Sequence, residues 1–246
     1  MFDNFRMAFS FLTIIPIFSS RGEHRGNLAG AMAFFPLVGL CIGLLAVSVV
    51  LVLEPFLSER FECLLLVLLP IVISGGLHVD GLADFFDGFF QGKSREDILL
   101  VMKDSRIGVW GTLAVLFMVL LKWESLTNLK FRNESFIFAL CLSRWSHVYL
   151  CSLLDYARTD NGLGKQVAGL IKGRELMIAS VSVLAVSLIL GIMGVIVFLL
   201  SAALVYLLSC FYKRKIGGIT GDVIGATGEM VEVFALIMLM VLCTQK

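Results

Sequence analysis

Three aspartates, Asp80, Asp84 and Asp87, stand at positions i, i+4 and i+7 within a very apolar stretch of the chain. If this stretch is helical, the three carboxylates point into one sector about 60° wide, because successive residues of an α-helix are about 100° apart. Carboxylates crowded on one face repel one another unless a cation lies among them. Oxygen ligands of this kind suit Mg²⁺, and Mn²⁺ as an alternative. The spacing therefore predicts a divalent metal site formed by these three aspartates.

The alternative for this face is an acidic helix surface in contact with water. Four aromatic residues interleave the acids, which disfavours a freely solvated face, and these are Phe85, Phe86, Phe89 and Phe90. His78 comes two residues before the first aspartate. An imidazole there is a candidate general base, or a residue that supports the metal ligands.

A second polar cluster, Lys103, Asp104, Ser105 and Arg106, directly precedes another apolar run. Lys103, Ser105 and Arg106 carry donors that are suited to phosphate oxygens. Asp104 is a candidate general base or a further metal ligand. The alternative is that the two basic residues only anchor the chain at a membrane boundary.

A third cluster is the glycine-rich segment 217–229. If it is helical from about Thr220, then Asp222, Glu229 and Glu232 share one face, with small residues between them. Acids at the start of an apolar span are candidates for function, so Thr220, Asp222 and Glu229 are predicted to bind substrate. The alternative is that the glycines simply permit tight helix packing.

Further polar side chains fall inside or beside apolar runs. Arg144 lies within a predicted span and needs an acidic partner or a phosphate, which makes it another candidate for substrate binding. His147, one turn later, is interpreted as a core histidine. Arg158 and Lys165 lie in a loop, where they could recognise anions or set the topology.

The composition is that of a membrane protein, with 59% hydrophobic residues, 16% charged residues and a mean hydropathy of +0.95. Each crossing needs roughly 20 residues, so 246 residues can form one bundle. We predict an all-α polytopic membrane helix bundle in a single domain, residues 1–246, with six to seven transmembrane helices. Candidate crossings lie at about 28–53, 61–77, 107–122, 134–153, 175–192, 194–212 and 226–243, with a break expected at Gly75 and Gly76.

The N-terminal apolar run, Met7 to Phe18, is short and is followed by Arg21 and Arg25. It predicts a helix lying in the membrane interface before the first crossing. The lipid bilayer is thus an expected partner. The balance of 20 Lys and Arg against 19 Asp and Glu gives no general attraction to nucleic acid.

With these crossings, most loop Lys and Arg residues fall on one side of the membrane, and Lys122 is assigned to a loop on the other side. The positive-inside rule then predicts a cytoplasmic N-terminus and cytoplasmic active-site loops, in the cell (inner) membrane. The acidic segment near Asp80, the 155–174 loop and the 216–222 loop are then all expected to face the cytoplasm.

The segments GGLHVDGLADFFDG, MKDSRIGVWG and GGITGDVIGATGE, in this order and with FFPLVGLCIG at residues 34–43, closely resemble the cobalamin synthase family, adenosylcobinamide-GDP ribazoletransferase. The resemblance implies a multi-pass enzyme of late cobalamin assembly. Such an enzyme joins adenosylcobinamide-GDP to α-ribazole, or to α-ribazole 5′-phosphate, and releases GMP with Mg²⁺. A homo-oligomer, or association with other cobalamin-assembly enzymes, is a further expectation.

Two other classes of membrane protein are alternatives to the transferase. The first motif is similar to the D-G-x-x-A-R signature of CDP-alcohol phosphotransferases, but Asp84 stands where that signature has arginine. An ion-coupled transporter would be expected to show repeated halves, and the sequence has no convincing internal repeat. The transferase is therefore the favoured interpretation.

Overall fold

The computed structural model describes residues 1–16, 27–159 and 163–243, so Phe18, Arg21 and Arg25 of the predicted interfacial segment lie outside the described residues. Within these ranges the α-helices are α1 (Phe2–Leu12), α2 (Leu28–Met32), α3 (Phe35–Leu53), α4 (Glu59–Ile73), α5 (Leu77–Gln91), α6 (Arg95–Val101), α7 (Val109–Thr127), α8 (Arg132–Leu153), α9 (Gly173–Ser187), α10 (Gly191–Ile216) and α11 (Gly221–Cys243). The predicted all-α class is confirmed.

Five helical segments of the described chain are long and apolar enough to cross a membrane: Phe35–Phe56, Val109–Thr127, Arg132–Leu153, Gly173–Ile216 and Gly221–Leu242. Counting the bent pair α4 and α5 as one broken span gives six. The segment Gly173–Ile216 contains both α9 and α10. The chain is therefore a polytopic membrane protein, as predicted.

The break between α4 and α5 turns the chain by 91°. Gly75 and Gly76 have φ angles of 63° and 74°, in the left-handed region that residues with a Cβ rarely adopt. The Gly76 N–H donates to the carbonyl of Ile71 at 2.8 Å, which closes the end of α4. This bend confirms the predicted break and directs the aspartate-bearing helix α5 away from the axis of α4.

Helices α5 and α11 cross at very short range through two glycines. A Cβ on Gly81 would lie 2.9 Å from the carbonyl oxygen of Asp222, and one on Gly225 would lie 3.2 Å from the Cα of His78. Small residues at a crossing let helix backbones approach closely. The N-terminal turns of the two helices, with their acids, are thereby brought together.

We expect Gly81→Ala to force these helices apart. The clash should lower the free energy of unfolding by about 1–3 kcal/mol, although alanine is the better helix former. Thermal unfolding in detergent would measure this change. Gly173→Ala is the matched control, because a Cβ at Gly173 meets no atom within 4 Å; equal effects of the two substitutions would contradict the packing argument.

Helix α8 forms the centre of the bundle and packs against α3, α9, α10 and α11. The Trp145 indole donates to Ser180 of α9 at 2.9 Å, and its ring lies edge-on to Phe198 of α10 at 4.9 Å. The opposite face of α8 approaches α3, where a Cβ on Gly39 would clash with the Leu140 carbonyl. Side chains of α8 are therefore held rigidly on several sides.

Candidate functional site

A cavity of about 240 Å³ opens where the N-terminal turns of α5 and α11 meet α8 and the segment after it. Acids, histidines and one arginine form its polar lining, and the rest of its lining is largely apolar. The lining residues used below are Phe11, Leu12, Met32, Phe35, His78, Asp80, His147, Tyr156, Arg158 and Asp222.

Backbone pairing fixes the segment after α8 beside the start of α11. The Ile219 N–H donates to the Asp155 carbonyl at 3.0 Å, and the Ala157 N–H donates to the Ile219 carbonyl at 2.9 Å. Arg95 of α6 adds two bonds of 2.9 Å, from Nε to the Ile216 carbonyl and from Nη2 to the Ala157 carbonyl. These contacts bring Arg158 over the first turn of α11.

Asp222 and Arg158 form an ion pair at the cavity, with Nη2 donating to Oδ2 at 3.2 Å. Thr220 donates to the same oxygen at 3.2 Å, and its hydroxyl accepts from the Val223 N–H at 3.3 Å. Thr220 is thus the N-cap of α11 as well as a support for Asp222. The buried Nε of Arg158 has no partner among the described residues, so the guanidinium keeps a donor for an anion.

Asp80 and Asp84 lie one turn apart on α5, the first exposed and the second half-buried. Neither carboxylate makes a hydrogen bond or ion pair within the described part of the chain. Asp84 lies in the combined negative field of Asp222, Asp80 and Asp87, with Arg158 as the opposing charge. Acids from α5 and α11 therefore form one electronegative region.

Asp87, the third aspartate, is 4% exposed and has protein partners. Its carboxylate accepts from the backbone N–H groups of Gly108 at 2.6 Å and Gly111 at 3.0 Å, and from Gln91 Nε2 at 2.7 Å. An anion in this position satisfies free amides at the N-terminus of α7 and favours the helix dipole. Asp87 therefore joins α5 to α7, a role that the sequence spacing did not reveal.

Asp87→Ala should therefore act mainly on stability. Loss of an N-terminal cap costs about 0.5–2 kcal/mol, and leaving amides buried adds to that cost. Thermal unfolding in detergent would measure the loss. Ser94→Ala, which removes the exposed N-cap of α6, is the comparison; an Asp87 variant that is no less stable than this control would refute the capping role.

Within the described residues, no group of three or more His, Cys, Asp and Glu side chains is arranged to hold a metal ion. A magnesium ion needs only one or two protein carboxylates when substrate phosphates and water complete its shell. Asp80 and Asp84, which have no protein partners, fit that requirement, and of the two Asp80 lines the cavity. Metal binding by Asp80, Asp84 and Asp87 stays a prediction, and Asp87 fits it least well.

The second cluster lies between α6 and α7, where Lys103, Ser105 and Arg106 are exposed. Arg106 Nη2 donates to Asp104 Oδ2 at 2.7 Å, and Arg106 Nε donates to Oδ1 at 3.0 Å. These hydrogen bonds hold the pKa of Asp104 at about 2. A carboxylate of such low basicity accepts protons poorly, which argues against Asp104 as the general base.

A second, more open cavity of about 640 Å³ adjoins the first and shares Phe11, Leu77 and Asp80 with it. Its wall is formed largely by apolar residues near the α4–α5 bend, with Ile107 at the end of the second cluster. Asp80 lines both cavities. The exposed carboxylate of Asp80 is thus accessible from both cavities.

A buried charge cluster lies apart from both cavities. Lys122 Nζ is 2.6 Å from Glu229 Oε2 and 2.7 Å from Glu232 Oε1, and all three side chains are almost fully buried. Arg144 Nη1 donates to Ser143 Oγ at 2.8 Å, and Arg144 lies in the field of both glutamates. Neither Glu229 nor Arg144 lines either cavity, so their predicted substrate binding has no support here.

Lys122 corrects the sequence interpretation, which assigned it to a loop. It lies within α7 and is 3% exposed. The signal in the sequence was a lysine inside an apolar run, which requires a buried acidic partner.

His78 of α5 and His147 of α8 stack at the inner end of the first cavity, with ring centroids 4.9 Å apart and planes 17° from parallel. His147 is buried, as a core histidine should be, but it also lines the cavity. Its place in the site could not be read from its own helix, because the partner ring comes from α5.

The helices and the site define a polytopic membrane protein with an acidic, arginine-bearing cavity at the ends of its helices. Residues 4–240 match the cobalamin-5-phosphate synthase family, to which the chain belongs. A relative named adenosylcobinamide-GDP ribazoletransferase, from Thermoanaerobacter sp. strain X514, is 35% identical over 238 residues, covering 94% of each chain.

Relatives with the same name have similar sequence identity and coverage. The one from Escherichia coli K12 is 34% identical over 239 residues, which cover 94% of this chain and 96% of the relative. The one from Clostridium botulinum strain Okra is 35% identical over 244 residues, which cover 97% and 98%. No solved structure gives a match.

Proposed function

We infer that the chain is a transferase of late cobalamin biosynthesis, which joins adenosylcobinamide-GDP to α-ribazole or to α-ribazole 5′-phosphate. The products are adenosylcobalamin, or its 5′-phosphate, and GMP. Family membership over residues 4–240 supports this inference, and the relatives carry the corresponding name. The observation that carries the chemistry is that the unpaired carboxylate of Asp80 and the Arg158–Asp222 pair line one cavity.

The bonds follow from the substrates and products. Because GMP leaves, the phosphorus attacked is the one that stays on cobinamide. A ribose hydroxyl of α-ribazole forms the new P–O bond, the P–O bond to GMP breaks, and the hydroxyl proton is released. Positioning and charge neutralisation dominate the catalysis of such a transfer.

The residues of the chain divide this task between them. Arg158, which keeps a buried donor without a partner, is suited to a phosphate oxygen of the diphosphate. Asp80 and Asp84 would hold Mg²⁺, with Mn²⁺ as a substitute, and Asp222 keeps Arg158 in place. When bound, the ion would neutralise charge on the diphosphate and on the departing GMP.

We further propose that this site faces the cytoplasm in the cell inner membrane. Basic residues cluster beside the site, at the end of α10 with Lys213, Arg214 and Lys215, and around Arg95 and Arg158. Basic segments of this kind are retained on the inner side. Protease cleavage or thiol labelling at the α6–α7 segment in sealed right-side-out vesicles would test the orientation. The segment should be protected from reagents added outside, and its modification by such reagents would refute the orientation.

The direct test uses the full chain in detergent or nanodiscs with adenosylcobinamide-GDP, α-ribazole 5′-phosphate and Mg²⁺. We expect equimolar GMP and adenosylcobalamin 5′-phosphate, identified by mass spectrometry. No product from a protein whose folding is confirmed by cooperative thermal unfolding would reject the proposed function.

A further inference from the structure

We propose that the 240 Å³ cavity binds the benzimidazole of α-ribazole, with His78 and His147 as the polar contacts at its inner end. This inference rests on the proposed function, and it names the part of the substrate that the cavity takes. Apolar residues form much of the remaining wall, and the mouth carries Asp80, Asp222 and Arg158.

The two histidines end in nitrogens that the protein does not use. His78 Nδ1 and His147 Nε2 are buried and have no hydrogen-bond partner among the described residues. The residues are 4% and 1% exposed, respectively. A buried polar atom without a partner costs free energy. Both rings line the cavity, so a ligand bound there lies against them; His147 Nε2 itself lies beside Gly228 of α11.

The remaining inner wall is apolar and partly aromatic. Phe35 lies edge-on to His147, with centroids 6.3 Å apart and planes at 87°. Phe11, Leu12 and Met32 complete this wall. An aromatic bicyclic base fits between such surfaces, since flat rings bury a large apolar area and favour edge or stacked contacts.

The arrangement of apolar and polar groups in the cavity matches α-ribazole better than it matches guanine or the corrin. A methylated benzimidazole is apolar and presents one ring nitrogen as an acceptor, whereas guanine has several donors and acceptors to satisfy. The corrin of cobinamide is far too large for about 240 Å³. A base held at the histidines leaves its ribose at the mouth, beside Asp80 and Asp222.

The test removes the ring nitrogens and keeps the ring shape. For His78→Phe and for His147→Phe we expect KM for α-ribazole 5′-phosphate to rise at least tenfold, with KM for adenosylcobinamide-GDP within twofold. Equilibrium dialysis of the full chain with α-ribazole alone should show the same rise in Kd. His147→Gln, which keeps a donor and acceptor, should recover part of the affinity.

Trp145→Phe is the matched control, because it lies on α8 two residues before His147 but contacts Ser180 and Phe198 away from the cavity. It should leave both KM values and the Kd unchanged. Unchanged Kd in both phenylalanine variants would overturn the proposal, as would a rise in KM confined to adenosylcobinamide-GDP. If the phenylalanine variants do not fold, an unchanged Kd in His147→Gln and in His78→Asn overturns it.

Failure of this inference differs from failure of the proposed function. Wild-type protein that binds α-ribazole in a histidine-dependent way but makes no GMP would keep the subsite and reject the transfer reaction. Wild-type protein that makes product with α-ribazole binding insensitive to both histidines would keep the reaction and reject the subsite.

Discussion

Asp80→Asn and Asp84→Asn are each expected to lower kcat by about 10²- to 10³-fold while the protein remains folded. Both carboxylates lack protein partners in the described part of the chain, so neither contributes a structural bond that the amide would lose. An amide keeps the size of the side chain and removes the negative charge. The loss should fall on the transfer step, where that charge would hold the ion that neutralises the diphosphate.

The measurement is GMP release under saturating substrates, with thermal unfolding of each variant in detergent. Asp104→Asn is the matched control, since this exposed carboxylate is paired with Arg106 and should keep most activity. If both Asp80→Asn and Asp84→Asn released GMP within threefold of the wild-type rate, the assignment of these acids to the transfer would be wrong.

Lys122→Met is expected to have the largest effect on stability. The substitution leaves Glu229 and Glu232 buried without their cation. Removing one partner from a buried ion pair costs about 3–5 kcal/mol. The variant should therefore unfold at a much lower temperature, or fail to accumulate in the membrane, although it alters no residue that lines either cavity.

A compensated variant separates charge from packing. Lys122→Met combined with Glu229→Gln leaves Glu232 to balance the buried Arg144, and should recover most of the lost stability. Lys130→Met, at an exposed lysine beyond the end of α7, is the matched control and should be neutral. A Lys122→Met protein as stable as this control would show that the buried ion pairs of Lys122 contribute nothing to stability.

The sequence predicted those features of the site that are local in the chain. The spacing of Asp80, Asp84 and Asp87 predicted one face of a helix, and Gly75 and Gly76 predicted the break that precedes it. Both are properties of a few consecutive residues, and the structure has the helix and the break.

The features that the sequence did not predict depend on contacts between distant elements. Asp87 caps α7 through Gly108 and Gly111, a contact that exists only because α7 begins against α5. His147 enters the site only because α5 brings His78 beside it. Periodicity within one helix gives a face, but it does not say which helix will cover that face.

The buried charges illustrate the same limit. Glu229 was predicted to bind substrate because an acid inside an apolar span needs a charged or polar partner. In the structure that partner is Lys122, on a helix more than 100 residues earlier in the chain. The general expectation of a partner was sound, while the identity of the partner required the packing of α7 against α11.

Binding of Mn²⁺ in the presence of adenosylcobinamide-GDP, followed by electron paramagnetic resonance, shows directly whether Asp80 and Asp84 hold the metal ion. We expect tight Mn²⁺ binding by the wild-type chain and by Asp104→Asn. Asp80→Asn and Asp84→Asn should each lose both Mn²⁺ binding and GMP release. Undiminished Mn²⁺ binding in both of the latter variants would contradict the assignment of the metal ion to these two aspartates.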